Sequence, residues 1–540
     1  MPNPSRRTLL RASLAVPGAG LLPACTGSGP VPRPDLQGYG SPRTFVPDGP
    51  RGYVNPSDPE VLAAERARGL GPVRTYRVTA AEAPLDLGGR TVRSWAYDEA
   101  LPGPLMRASA GEVLDVTLAN RLPAATTLHS HGIRLRCDMD GVPGLTQPPV
   151  RPGTDFRYRF AVDHPGTYLM HSHVGMQSDR ALYAPLIIDD PREPLAYDAE
   201  WIVVLDDWLD GVEGSTPDEV LGRLRPAGAA TSGHAAMGPD RPGSGAPAST
   251  SPSPARRAAG PSRVLHGSRS RMLHGVAGHV DYPHYLANGR LPDSPSVFRC
   301  RPGDRVRLRI INAGAETAFR VALGDHTMTV THTDGYPVRH KETDALLVGM
   351  AERYDVLVTA RDGVFPLVAL AEGKKGQALA VLRTGTGTRS LPPADARPDQ
   401  LGGRTVPARR LVPDDSVALE DREPDRELRI RITGGMAEYD WGFDHQAYAP
   451  QRRHPVRAGE RVRLTLINAT DMWHPMHLHG HTFALAGLDG AGARKDTAVV
   501  LPHRKLVVDL DADNPGLWML HCHNLYHSES GMMTVLGYRK

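Results

Sequence analysis

Several features are scarce in this 540-residue chain, and each scarcity excludes something. Charge of one sign is never concentrated: 63 Lys+Arg stand against 60 Asp+Glu with no large basic block, so nothing marks a nucleic-acid partner. Long amphipathic helical patterns are few, which argues against a helical architecture. The N-terminal apolar run ending at Leu22 is short and broken by Pro17 and Gly18, so it does not span a membrane. Cysteine is limited to four residues, and the pairing of Cys137 with Cys300 stays open. Abundance lies in 56 glycines and 50 prolines, the composition of many short strands joined by frequent turns. The length suits about three or four domains.

The N-terminus reads Ser5-Arg6-Arg7-Thr8-Leu9-Leu10 ahead of that apolar run. It resembles a twin-arginine export signal, which implies export of an already folded protein to the cell envelope or beyond. Leu22-Pro23-Ala24-Cys25 resembles a lipobox with an unusual proline; it implies a lipid anchor on Cys25, the alternative being a discarded signal residue. Signal and lipobox occupy 1–25, and the Pro/Gly/Arg-rich stretch 26–70 reads as a tether with little structure. Beyond it, 73–78 and 112–118 alternate in the manner of strands. A turn followed by a strand ending in asparagine occurs three times, at 108–120, 298–312 and 456–468. Three related β-domains follow, at about 71–190, 195–385 and 410–540, with a linker at about 385–410. A Gly/Pro/Ser/Ala/Arg-rich insertion at about 211–280 interrupts the second and holds too few apolar residues to fold alone.

Histidine carries the chemistry. With 23 His in the chain, chance gives roughly one His-x-His pair. Such pairs instead begin at 129, 171, 477, 479 and 521, and alternation along a strand puts both rings of a pair on one face. Near the end stands His521-Cys522-His523-Asn524-Leu525-Tyr526-His527, then Ser528-Glu529-Ser530-Gly531-Met532. Cys522 points away from His521 and His523. Cys522, His527 and Met532 supply a thiolate, an imidazole and a thioether, the soft set of a blue copper centre that lacks one imidazole. His474, in Trp473-His474-Pro475-Met476-His477-Leu478-His479-Gly480, is the missing ring. His129/His131 and His171/His173 from the first domain, with His477/His479 and His521/His523 from the third, give eight imidazoles for a second metal cluster between those domains. His481 is surplus and reads as structural. Asp140 is either a turn residue before Gly141 or a carboxylate that orients a ligand and relays protons. The insertion's His234, Met237, His266, Met272, His274 and His279 are either incidental or a copper-recruiting flap.

These four motifs together resemble the three-domain bacterial multicopper oxidases, of the laccase-like and cuprous-oxidase kind, over residues 70–540. The resemblance implies an all-β chain of three cupredoxin-like Greek-key β-barrels and four copper ions. Type 1 copper would take His474, Cys522, His527 and axial Met532. Type 2 would take His129 and His477. The type 3 pair would take His131, His171 and His523 on one ion, and His173, His479 and His521 on the other. It further implies one-electron oxidation of Cu(I), a phenol or an aromatic amine, coupled to reduction of O2 to water, by a monomer. Asp140 matches the family's proton-relay aspartate. Ser528 stands where bacterial relatives often carry a relay glutamate, and Glu529 follows one place later. Leu169 and Met170 replace the usual aromatics before the second pair, and Met533 adjoins Met532. Asp471 and Met472 precede His474 and are expected to line the approach of substrate. A copper-storage protein and a non-catalytic cupredoxin scaffold are the competing functions; the scaffold predicts broken ligand sets, and none is broken.

Overall fold

The three sequence echoes become one strand drawn three times. Val113–Asn120, Arg305–Asn312 and Arg461–Asn468 each pair in parallel with the strand that opens their unit, respectively Val73–Asp86, Ala199–Trp208 and Arg426–Thr433. Each also pairs antiparallel with a later strand, Asp155–Ala161, Arg353–Thr359 or Lys505–Asp511. The closing asparagine repeats its role as well. Its Nδ2 donates to the carbonyls of Ala124 and Val150 from Asn120, of Thr317 and Val348 from Asn312, and of Met472 and Val500 from Asn468, at 2.7–3.2 Å. A buried amide that satisfies two carbonyls pins the loop between them. In the third unit that loop leads into His474.

This computed structural model describes residues 45, 47, 49–69, 71–226, 260–385, 390–487 and 490–540. Among the described residues each unit is a pair of sheets closed over apolar side chains: four strands and four in the first, six and five in the second, six and five in the third. The first unit has its own core, built on Val116, Leu118, Tyr158, Phe160 and Leu186. The second and third share a continuous one, from Leu308 and Val356 to Leu464, Trp518 and Met519. Among the described residues no helix is long and apolar enough to cross a membrane. Cys137, Cys300 and Cys522 are free thiols, so Cys137 and Cys300 do not pair. The signal, the lipobox and Cys25 lie outside the described residues, as do His234 and Met237.

Two segments are more ordered than composition suggests. Within the expected tether, Tyr53 bridges to Arg539 and helix α1 (Pro59–Ala67) buries Val61. Glu65 of α1 accepts from the Ala161 amide at 2.6 Å, and Arg68 donates to Asn514 at 2.7 Å, so the helix ties the first unit to the third. Within the expected insertion, helix α2 (Pro217–Leu224) is capped by Thr216 and buries Val220, Leu221 and Leu224. Leu273, Ala277 and Val280 also enter the common core, as does Tyr282 just beyond the insertion. These stretches hold too few apolar residues for a core of their own; they are ordered because they complete one already built.

Candidate metal centres

Strand alternation separates two sites. His474–Leu478 pairs antiparallel with Leu517–Cys522, placing Met476 opposite Cys522 and His477 opposite His521. His474 and Cys522 therefore share one face, and His477 and His521 the other. After Cys522 the chain turns into the short helix α3 (Leu525–Glu529), whose N-cap Asn524 accepts from the His527 amide and fixes that ring beside Cys522. His521 pairs with Met533, so Met533 falls on the His521 face and the buried Met532 on the Cys522 face. That geometry favours Met532 over Met533 as the thioether.

On the first face, Nδ1 of His474 lies 3.6 Å and Nδ1 of His527 3.8 Å from Cys522 Sγ, and the two nitrogens are 3.2 Å apart. A triangle of that size fits three donors around one ion at about 2.0–2.3 Å. All three residues are wholly buried. Burial pushes the Cys522 thiol up and holds His474 at about 3. A thiol so disfavoured as an anion becomes a thiolate when a cation sits beside it.

On the second face the eight histidines converge. His129 pairs across its strand with His171, and neighbouring ring centroids lie between 3.7 Å (His131 to His477) and 6.1 Å (His477 to His523). Donor atoms of His129, His477 and His479 lie within 4.8 Å of one another, as do those of His129, His131 and His171, and of His173, His479 and His521. Burial, then the neighbouring rings, pushes His479 and His523 well below the ordinary histidine value. The rings are held by their outward nitrogens. His129 Nδ1 donates to the Asp140 carbonyl at 2.7 Å, His171 Nδ1 to the Ser172 carbonyl at 2.9 Å, and His521 Nδ1 to the Cys522 carbonyl at 2.9 Å. His479 Nδ1 meets the buried Asp140 carboxylate at 2.9 Å. The inward nitrogens of His129, His131, His171, His477 and His523 are buried without a hydrogen-bond partner. Buried polar atoms are normally satisfied, so five such lone pairs facing one another fit bound metal.

Four further residues of the sequence reading take definite places. Glu529 is buried in α3, its carbonyl accepting from Arg225, and it stands outside the donor groups found among the described residues. Met472 is 1 % exposed because Val276 of the former insertion bridges to it, so it does not line an open approach. Asp471 is exposed and takes a 2.8 Å contact from His503. His481 lies outside the donor groups, against the Tyr538 hydroxyl at 2.6 Å.

Sequence reasoning missed Asp496. It is fully buried, accepts two bonds from Arg353 at 2.8 and 2.6 Å, and meets His131 Nε2 at 3.0 Å, while its carbonyl accepts from His477 Nδ1 at 2.9 Å. Burial alone would raise its carboxyl, but Arg353 and His131 hold it well below the usual carboxylate range. Gly132 belongs to the same junction. Its φ is +84°, and a Cβ there would stand 2.5 Å from Arg353 and 2.6 Å from Asp496. The available signal was Lys495-Asp496 set against the apolar strand Thr497–Val500.

Residues 79–193, 270–387 and 421–540 each match the family description "Multicopper oxidase". The multicopper oxidase MmcO of Mycobacterium tuberculosis is 47 % identical over 478 residues, covering 88 % of this chain and 89 % of that protein. The chain belongs to the multicopper oxidases. It is a copper-dependent oxidoreductase of all-β, cupredoxin-like construction, and copper is the metal its donor sets fit. The copper resistance protein A homolog of Pseudomonas syringae pv. tomato is 28 % identical, covering 88 % of this multicopper oxidase and 93 % of that protein. Fet3p, described as a multicopper oxidase that functions in iron import, shares the fold at a TM-score of 0.69 and 22 % identity, covering 86 % of this chain and 90 % of that one.

Proposed function

We propose that this chain couples one-electron oxidation of a reductant to the four-electron reduction of O2 to water. Its reductant in the cell is Cu(I), with phenols and aromatic amines as further substrates, and its role is copper tolerance. The observation that carries this is the place of Cys522. Its sulfur belongs to one donor set, while the two residues bonded to it, His521 and His523, belong to the other. His474, Cys522, His527 and Met532 hold one copper ion. His129 and His477 hold a second, His131, His171 and His523 a third, and His173, His479 and His521 a fourth. Bound there, copper supplies one-electron redox chemistry at the first site and O2 reduction at the others.

The protein's own groups do the rest. The Cys522 backbone gives a covalent path between the sites. Asp140 Oδ2 holds His479 in the tautomer that points Nε2 inward, and as a buried acid beside the cluster it hands protons to reduced oxygen. Likeness to a copper resistance protein supports the cuprous role. The twin-arginine and lipobox motifs support export, with Cys25 as lipid anchor. The test is oxygen uptake by the copper-loaded protein. A blue protein that consumes O2 faster with Cu(I) than with a bulky phenol is expected. A blue protein far better with phenols is a laccase, and one that binds copper without oxygen uptake is a storage protein.

A further inference from the structure

Asn514 sits in the turn between strands Lys505–Asp511 and Leu517–Cys522 and is 1 % exposed. Every polar atom of its side chain is used. Nδ2 donates to the Leu135 carbonyl and to the Gly480 carbonyl, both at 2.9 Å, and Oδ1 accepts from Arg68 Nη2 at 2.7 Å. Its own carbonyl accepts from Trp518 Nε1 at 2.7 Å, and its amide donates to the Tyr538 hydroxyl at 3.2 Å. These partners come from separate parts of the chain. Leu135 belongs to the first unit, between His131 and Asp140; Gly480 belongs to the third and directly follows His479; Arg68 directly follows α1. Gly480 is tightly seated: its φ is +62°, and a Cβ there would overlap the Trp518 ring. Trp518 in turn lies on the strand that delivers His521 and Cys522. Cys137 makes a second tie alongside, its Sγ meeting the Leu517 carbonyl and amide at 3.3 Å each.

We propose that Asn514 is a positioning residue for the histidine cluster: its amide fixes the distance between the backbones that carry His131 and His479, and so the spacing of the two copper ions those rings serve. The inference rests on the reading that places His131 on one ion of the cluster and His479 on its neighbour. The cluster draws its rings from two units, and the inward nitrogens of His129, His131, His171, His477 and His523 make no protein contact that could set the gap. A carboxamide between two carbonyls can set it. Two N–H donors at a fixed angle on one nitrogen reach both carbonyls at once, and burial makes either bond costly to lose. Arg68 completes the device by holding Oδ1, so a segment whose composition suits a tether takes part in the site. Asp140 depends on the same bond, because Leu135 precedes the turn Cys137–Met139 that carries Asp140 to His479.

The test compares copper-loaded wild type, Asn514→Asp, Asn514→Ala and Arg68→Ala. Asn514→Asp keeps the shape and the Arg68 contact but turns the donor into an acceptor facing two carbonyls; Asn514→Ala deletes the tie. Copper content, blue absorption, copper visible in electron paramagnetic resonance (EPR), and the rates of type 1 reduction and of reoxidation by O2 are measured. Two Cu(II) ions close enough to share a bridging ligand pair their spins and vanish from EPR, so a changed spacing appears as a gain of EPR-visible copper. Both Asn514 variants are expected to keep the blue colour and the rate of type 1 reduction, to gain EPR-visible copper, and to reoxidise about tenfold more slowly. Arg68→Ala, which frees Oδ1 but leaves both donors, is expected to change in the same direction to a lesser degree. If every variant that folds equals the wild type in EPR-visible copper and in reoxidation, whatever its stability, Asn514 is a packing residue and the inference is overturned. If the wild type holds the cluster's copper yet takes up no O2, the oxidase reading alone fails, since the EPR comparison still decides the inference.

Discussion

At the scale of residues, what spacing can express was legible and what only folding assembles was not. The His-x-His pairs, His474 and the Cys522 segment lie in short runs where strand alternation fixes the faces, so the sequence reveals how they divide between two sites. Asp496 is different, because its partners Arg353 and His131 come from the second and first units and no local pattern joins them. Removing its charge tests that junction. Asp496→Asn leaves the buried Arg353 guanidinium with only the Asp334 carboxylate, 3.6 Å away, as counter-charge and should cost up to about 3 kcal/mol of stability, read as a lower denaturant midpoint. It should also disturb the type 2 copper signal, since the Asp496 carboxylate stands 3.4 Å from His477 Nδ1. A midpoint and a signal equal to the wild type's would make the carboxylate incidental.

At the scale of elements, the repeated strand was readable because each copy buries a face in its own unit and so carries its own alternation. Helices α1 and α2 and the stretch 260–282 were not, since their few apolar residues find partners only on units built elsewhere in the chain. A flap reading of that stretch treats it as dispensable. The structure sets Leu273 wholly inside the common core, so Leu273→Ala should lower stability by about 2–5 kcal/mol in chemical denaturation. A loss under about 0.5 kcal/mol would mean that the segment does not pack as described.

At the scale of the whole molecule, three similar units are held by buried polar contacts as well as by apolar area, and buried histidines make that assembly sensitive to acid. Two half-buried ones that belong to neither metal site contribute: desolvation holds His164 at about 4 and His332 at about 3, against an ordinary histidine value of 6.5. Their folded values are depressed, so above pH 6.5 they are neutral folded or unfolded and cost nothing. As pH falls below 6.5 the unfolded chain takes up protons that the folded one refuses, and stability drops until the folded values are reached. Each contributes up to about 1.4 kcal/mol per pH unit. The melting temperature should therefore fall between pH 6.5 and 4, and the double variant His164→Phe/His332→Phe should make that slope shallower. An unchanged slope would place the acid sensitivity elsewhere.

The central claim is that one residue, Cys522, serves both sites, its sulfur in one and its backbone joining the other. The most direct measurement is the visible spectrum, copper content and oxygen uptake of Cys522→Ser loaded with copper. A serine hydroxyl is a hard, weak ligand where the site needs a thiolate. The account predicts a colourless protein that keeps the copper bound by the eight histidines and consumes almost no O2 with any reductant. A variant that stays blue, or that loses its colour yet consumes O2 at the wild-type rate, would contradict it.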